Sequence, residues 1–140
     1  MHSRKGLIGI DFLERLCDKI NEFPDLSIPC EPGYLGAGES LVVYPLPGSR
    51  EVQSYMDGTS DWAMNYEIAM KSMIQGRINN ALWAIQNELE KLKELKSEDN
   101  SFKFEEITIT NKPFINQADD QGWFVFLLNV QANITVLKEE

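Results

Sequence analysis

Few residues of this chain can do covalent or acid–base chemistry, and none falls in the spacing such chemistry needs. The single histidine is His2. A serine or cysteine nucleophile needs a base beside it, so a histidine triad would have to be built from a residue that reads as part of an N-terminal tail. The sequence contains no CxxC pair, HExxH or GxxxxGK[ST], the spacings that hold zinc or cradle phosphates. Adjacent carboxylates occur at Glu105–Glu106, Asp119–Asp120 and Glu139–Glu140. Neighbours on a strand point to opposite faces, so Glu105 and Glu106 are expected to be poorly placed for joint acid–base work. Asp119–Asp120 reads either as a weak cation site or as a solvated turn. The glycines of GYLGAG (Gly33–Gly38) neither follow a clear strand nor open a helix, as a dinucleotide fingerprint would require, and a plain loop is the simpler reading. No catalytic, cofactor-binding or metal-binding residue is expected.

Charge narrows the partners. With 13 Lys+Arg against 22 Asp+Glu the formal net charge is −9, which repels phosphate backbones and argues against sequence-reading nucleic-acid binding. Lys91, Lys93 and Lys96 alternate with Glu88, Glu90 and Glu94 and read as a solvated, ion-paired helix face. A chain of 140 residues, 43% hydrophobic and 25% charged, has the composition of one globular domain. No apolar run approaches the roughly 18 residues of a membrane span. Asp11 interrupts the short apolar stretch after Lys5, so Met1–Lys5 reads as a flexible tail rather than a signal peptide, with the domain running 6–140. Two cysteines and no export signal point to a reducing cytoplasm, with Cys17 and Cys30 expected as free thiols.

The elements that must carry any site follow from periodicity. Trp62, Met64, Tyr66, Ile68 and Met70 alternate with Ala63, Asn65, Glu67 and Ala69, the period of a strand with one buried face. Beyond Lys71 the period becomes helical, through Ile78, Ala81, Leu82, Ile85 and Leu89, and Ser72 with Gln75 suggests a capping box for a helix over 72–95. An earlier helix is expected over 11–23, ended by Pro24. The long Pro- and Gly-rich stretch that follows is either functional or mobile. Strands are expected over 40–46, 51–56, 60–70, 102–110 and 123–137. The fold class is therefore α+β: a mixed or antiparallel sheet with two helices on one face, in the order α-β-β-β-α-β-β. Trp62, Trp83 and Trp123 read as core or interface anchors.

The stretches IDFLERLCDKIN, DWAMNYEIAMKS (Asp61–Ser72), INNALWAIQNELEKLKEL (Ile78–Leu95) and FEEITITNKPFINQADDQGWFVFLLNVQANIT (Phe104–Thr135) resemble the tail terminator, or minor capsid, proteins of siphophages and prophages of Gram-positive bacteria. The resemblance spans most of the chain. It implies a structural virion protein, assembled in the host cytoplasm, that forms a ring, commonly a hexamer. Such a ring caps the tail tube, joins it to the head–tail connector protein, and lets DNA pass without specific binding. A small acidic adaptor or inhibitor acting as a monomer is the alternative, and an enzyme comes third. The irregular stretches 29–39 and 111–121 are the candidate contact regions. Tyr34, Leu35, Phe114, Ile115, Asp119 and Asp120 are their candidate residues. Phe114 and Ile115 read either as an anchor buried on assembly or as part of the chain's own core.

Overall fold

The computed structural model describes residues 11–24, 26–111, 114–117 and 120–137. The tail Met1–Lys5 lies outside them. Two helices and seven strands follow one another as α1 (Phe12–Ile20), β1 (Cys30–Pro32), β2 (Ser40–Pro45), β3 (Arg50–Ser54), β4 (Ser60–Ser72), α2 (Gln75–Lys91), β5 (Phe102–Ile109), β6 (Phe114–Gln117) and β7 (Phe124–Val136). The α+β class and the mixed sheet are as the periodicity implies, with two short strands added to the expected order.

The two longest strands, β4 and β7, pair antiparallel along their whole length, from Ser60 opposite Val136 to Ser72 opposite Phe124. The free flank of β4 is shared by β2 and β3, and that of β7 by β5 and β6. β1 adds parallel to β2. Periodicity does not reveal β1, because Pro29 and Pro32 disguise it. Asn21 supplies what its own ladder lacks: its side-chain amide donates to the Cys30 carbonyl at 3.1 Å, and its side-chain oxygen accepts from the Cys30 N–H at 2.7 Å. β6 lies in the stretch 111–121, where turn-forming residues mask four residues of pairing.

Helix α1 stops at Ile20, before the expected Phe23, because the N–H groups of Glu22 and Phe23 take tighter three-residue bonds to the Lys19 and Ile20 carbonyls. The capping box also needs correction. Ser72 closes β4 and is fully buried. Its hydroxyl accepts from the Ile74 N–H at 3.1 Å and donates to Glu39 at 2.5 Å. The helix therefore begins later, at Gln75, without a side-chain cap. It ends at Lys91, and the extended residues beyond bring Leu95 into the core and Lys96 beside Lys103.

Both helices cover one face of the sheet. α1 lies over β1 and β2, and α2 over β4, β5 and β7. Phe12, Leu16 and Ile20 of α1 and Ile78, Ile85 and Leu89 of α2 are buried against Ile68, Met70, Phe126, Leu128 and Val130. Phe12 is the aromatic centre, with its ring centroid 5.4 Å from Tyr66 and 5.2 Å from Phe102. Burial pushes the Tyr66 phenol up, with the Glu14 charge adding to the effect. Cys17 and Cys30 are buried free thiols in this core. A hydrogen bond with Cys17, then burial, drives the Cys30 thiol up.

Candidate assembly surface

The helix-free face of the sheet is polar. Gln131 donates to Asn65 at 3.0 Å, Thr135 to Asp61 at 2.8 Å, and Tyr44 to Glu67. These pairs tie neighbouring strands together. A bulge between Phe104 and Glu106 alters the expected placement of the adjacent carboxylates. Glu106 pairs with Asn133 on the helix-free face, and the bulged Glu105 accepts from Thr135 on the same face at 3.1 Å. The extra residue of a bulge cancels the strand's alternation, so both carboxylates share one face, exposed to solvent.

At one end of the sheet three connections meet. β2 begins at Ser40 opposite Lys71, and β7 begins at Phe124 opposite Ser72. The loop before β2, the start of α2 and the turn before β7 therefore lie together. Lys71 links them: its ammonium donates to the Gly36 carbonyl at 3.2 Å and sits 4.7 Å from the centre of the Trp123 ring. Glu39 fastens the loop to the helix through Ser72 and through Arg77, at 3.0 Å. The Ser72 hydroxyl and then Arg77 hold the Glu39 carboxyl below its usual range. The stretch 33–39 is thus a tethered loop.

Of the sequence candidates, Tyr34 is 73% exposed, with its ring centroid 4.8 Å from that of Tyr44. Leu35 is half-buried, and Asp120 is exposed in the turn before β7. Ile115 packs against the core opposite Phe126. The backbone register sets Phe114 opposite Leu127. Asp119 lies outside the described residues. The fold thus sets Tyr34 beside Tyr44 on the β1–β2 flank, leaves Asp120 in the turn before β7, and sets Ile115 into the edge of the core. Met73 and Ile74, each 49% exposed, stand between the two loops. Periodicity misses them because they fall where the period changes.

The opposite end is a hairpin between β3 and β4, turned by Gly58 at φ +95°, a left-handed conformation that favours glycine. Every residue of β3 is exposed. Met56 at the tip is wholly exposed, and Val52 and Tyr55 are largely so. Below them opens a groove of about 640 Å³, lined among others by Tyr55, Asp57, Asp61, Trp62 and Glu105. Tyr55 donates to Asp61 at 2.6 Å. That bond, then the one from Thr135, holds the Asp61 carboxyl down, and the Tyr55 phenol is pushed up in return. Sequence reasoning also misses the apolar hairpin as a surface, although the turn signal Asp57-Gly58 after Tyr55-Met56 points to it. Among the described residues no three His, Cys, Asp or Glu side chains gather as a metal site, and no helix is long and apolar enough to cross a membrane.

Residues 20–136 match the family profile described as bacteriophage tail terminator protein. The chain belongs to the bacteriophage tail terminator family. That span runs from the end of α1 to the end of β7. The family is a structural phage protein family rather than an enzyme family, so this tail terminator relative has a structural role in the virion. No curated protein matches the sequence. Among solved structures, a chain from the virion of a native gene transfer agent particle shares the fold, with a TM-score of 0.53 at 9% identity over 76% of this chain and 78% of that one.

Proposed function

We propose that the protein assembles into a ring, hexameric in its finished form, that caps the phage tail tube and joins it to the head–tail connector protein. The observation carrying this reading is the family match, which takes in all seven strands and the whole of α2. The solved structure that shares the fold comes from the virion of a gene transfer agent particle. The molecule has what a ring subunit needs: two exposed ends and an acidic body. A heterologous ring joins two different surfaces of each subunit, and a net charge of −9 favours free passage of DNA over adsorption. The protein carries out no catalysis and reaches the virion from the host cytoplasm. Tyr34, Leu35, Phe114, Asp119 and Asp120 are proposed to meet neighbouring subunits or the tube, with Ile115 holding β6 in place behind them.

The test is sedimentation velocity and native mass spectrometry of the purified protein, alone and with isolated tail tubes. Joining of tails to heads is then scored by electron microscopy with and without the protein. A closed ring, in solution or on the tube, and joining that depends on the protein are the expected results. A monomer at every concentration that also ignores tail tubes would overturn the reading in favour of a monomeric acidic adaptor.

A further inference from the structure

The two cysteines of the chain lie in one core cluster, Cys17 on α1 and Cys30 at the start of β1. Helix α1 packs directly on β1. Asn21, just past the end of α1, fixes that approach, because its side chain holds both the N–H and the carbonyl of Cys30. Cys17 stands one turn back along the same face of the helix. The Asn21 N–H closes this turn on the Cys17 carbonyl at 3.0 Å. A side chain on that face therefore meets the residue whose backbone Asn21 grips. The Cys17 and Cys30 thiols are hydrogen-bonded to each other, and both are free.

The contact sits where a covalent tie would matter. β1 is the shortest of the seven strands, an edge strand that pairs only with β2. It closes on Pro32, which has no N–H to give a ladder. The link from α1 to β1 is rich in proline and has no regular structure of its own. Free cysteine often serves in a core as a small apolar residue, but two thiols in mutual contact can also join.

We propose that Cys17 and Cys30 are a redox pair: reduced while the protein is made, they form a disulfide in oxidising surroundings and pin α1 to the edge strand β1. The oxidant is a small organic disulfide of the glutathione kind. One cysteine thiolate attacks a sulfur of oxidised glutathione, and a glutathione thiolate leaves. The other cysteine thiolate then attacks the protein sulfur of the mixed disulfide and expels the second glutathione. The S–S bond of the oxidant is reduced, the two protein thiols are oxidised, and their two protons end on two glutathiones. Burial makes the exchange slow in the folded chain, where it runs through transient opening of the α1–β1 contact. A virion protein meets both conditions in turn, because a cytosol keeps thiols reduced and a released particle has no such buffer. The pair needs no ring, so this inference and the ring reading can fail separately.

The experiment compares the reduced and oxidised forms of the full chain. Exchange with reduced and oxidised glutathione is brought to equilibrium from both sides, starting from reduced folded protein and from dilute protein oxidised in urea and then refolded. Intact mass, non-reducing gels and melting temperature are read. The expected product is a monomer lighter by two hydrogens. Closing a loop of about 15 residues should make the bridge roughly 100-fold more favourable in the folded protein than in urea. It should raise the melting temperature by roughly 10 °C over the reduced form. A bridge no more favourable folded than unfolded, or a bridged form that melts lower, means that the thiols are not placed to join and overturns the inference. Cysteine-linked dimers in place of the bridged monomer overturn it too. Cys30→Ser should abolish both the mass change and the rise on oxidation; a rise that survives belongs to another group. The comparison of the two forms of the unaltered chain decides the matter even if that variant does not fold.

Discussion

Two substitutions on α2, two positions apart, separate core from surface. Ile85 is fully buried against the sheet, whereas Trp83 is 61% exposed on the same helix. Ile85→Ala removes three buried carbon groups at about 0.8 kcal/mol each, a transfer loss of about 2.4 kcal/mol. The cavity left beneath α2 adds to this, because β4 and β7 are held by a continuous ladder and collapse little. The total should reach about 3–4 kcal/mol, inside the usual range for large-to-small core changes of ~2–5 kcal/mol. For a chain of this length that is a fall in melting temperature of roughly 10–15 °C. Trp83→Ala deletes a far larger side chain yet should cost under about 1 kcal/mol, since surface changes away from special features seldom exceed ~0.5 kcal/mol. Urea titrations followed by far-UV circular dichroism, which does not depend on tryptophan fluorescence, give both values. If Trp83→Ala costs as much as Ile85→Ala, the helix is rotated from the face assigned to it, and the assigned core is wrong.

Gly48 turns the chain from β2 toward β3 at φ +100°, and a Cβ there would lie 2.9 Å from the Asn65 amide nitrogen. Gly48→Ala should cost about 1–2 kcal/mol, measured by the same titration; an unchanged midpoint would contradict the turn. Glu39, Asp61 and Asp99 are held below their ordinary carboxyl range by hydrogen bonds, Glu39 with help from Arg77. The unfolded chain therefore binds more protons than the folded one in acid, so their contribution is complete above about pH 5 and is lost as pH falls toward about 3. Melting temperatures across that window should drop, and Glu39→Gln should flatten the drop; equal slopes would refute the role of Glu39. Cys30, a buried free thiol hydrogen-bonded to Cys17, should resist maleimide at about pH 8 until urea is added, and rapid labelling of the folded protein would contradict its burial.

The long elements are legible because their burial is periodic. Alternation from Trp62 to Met70 and again from Phe124 to Val136 marks the central pair, and Ile78 to Leu89 marks the core face of α2. What stays hidden depends on tertiary partners. β1 exists because Asn21 satisfies Cys30, and Ser72 looks like a cap only until Glu39 is brought beside it by β2. The bulge at Glu105 inserts one residue that no local pattern announces. The surface is less legible than the core. Tyr34, Leu35 and Asp120 are found through irregular composition, whereas Met56, Met73 and Ile74 sit where no periodic pattern marks them. Only the fold collects them at the ends of one strand.

The pairing of β4 with β7 also governs how the chain reaches this fold. Asp61 and Thr135, bonded across that pair, lie 74 positions apart in sequence. The central ladder therefore closes a long loop at a large cost in conformational entropy, and folding should run at the slow, non-local end of the scale for a chain of this size. Until β7 docks, β4 presents one edge of its ladder and the apolar row Met64, Tyr66, Ile68 and Met70 to whatever is near. In a cell making many copies at once, the nearest strand is often another copy of β7. The danger to this protein lies in strand exchange between half-folded copies, and conditions that slow its encounter with other chains should raise the yield of folded subunits more than conditions that stabilise the finished fold.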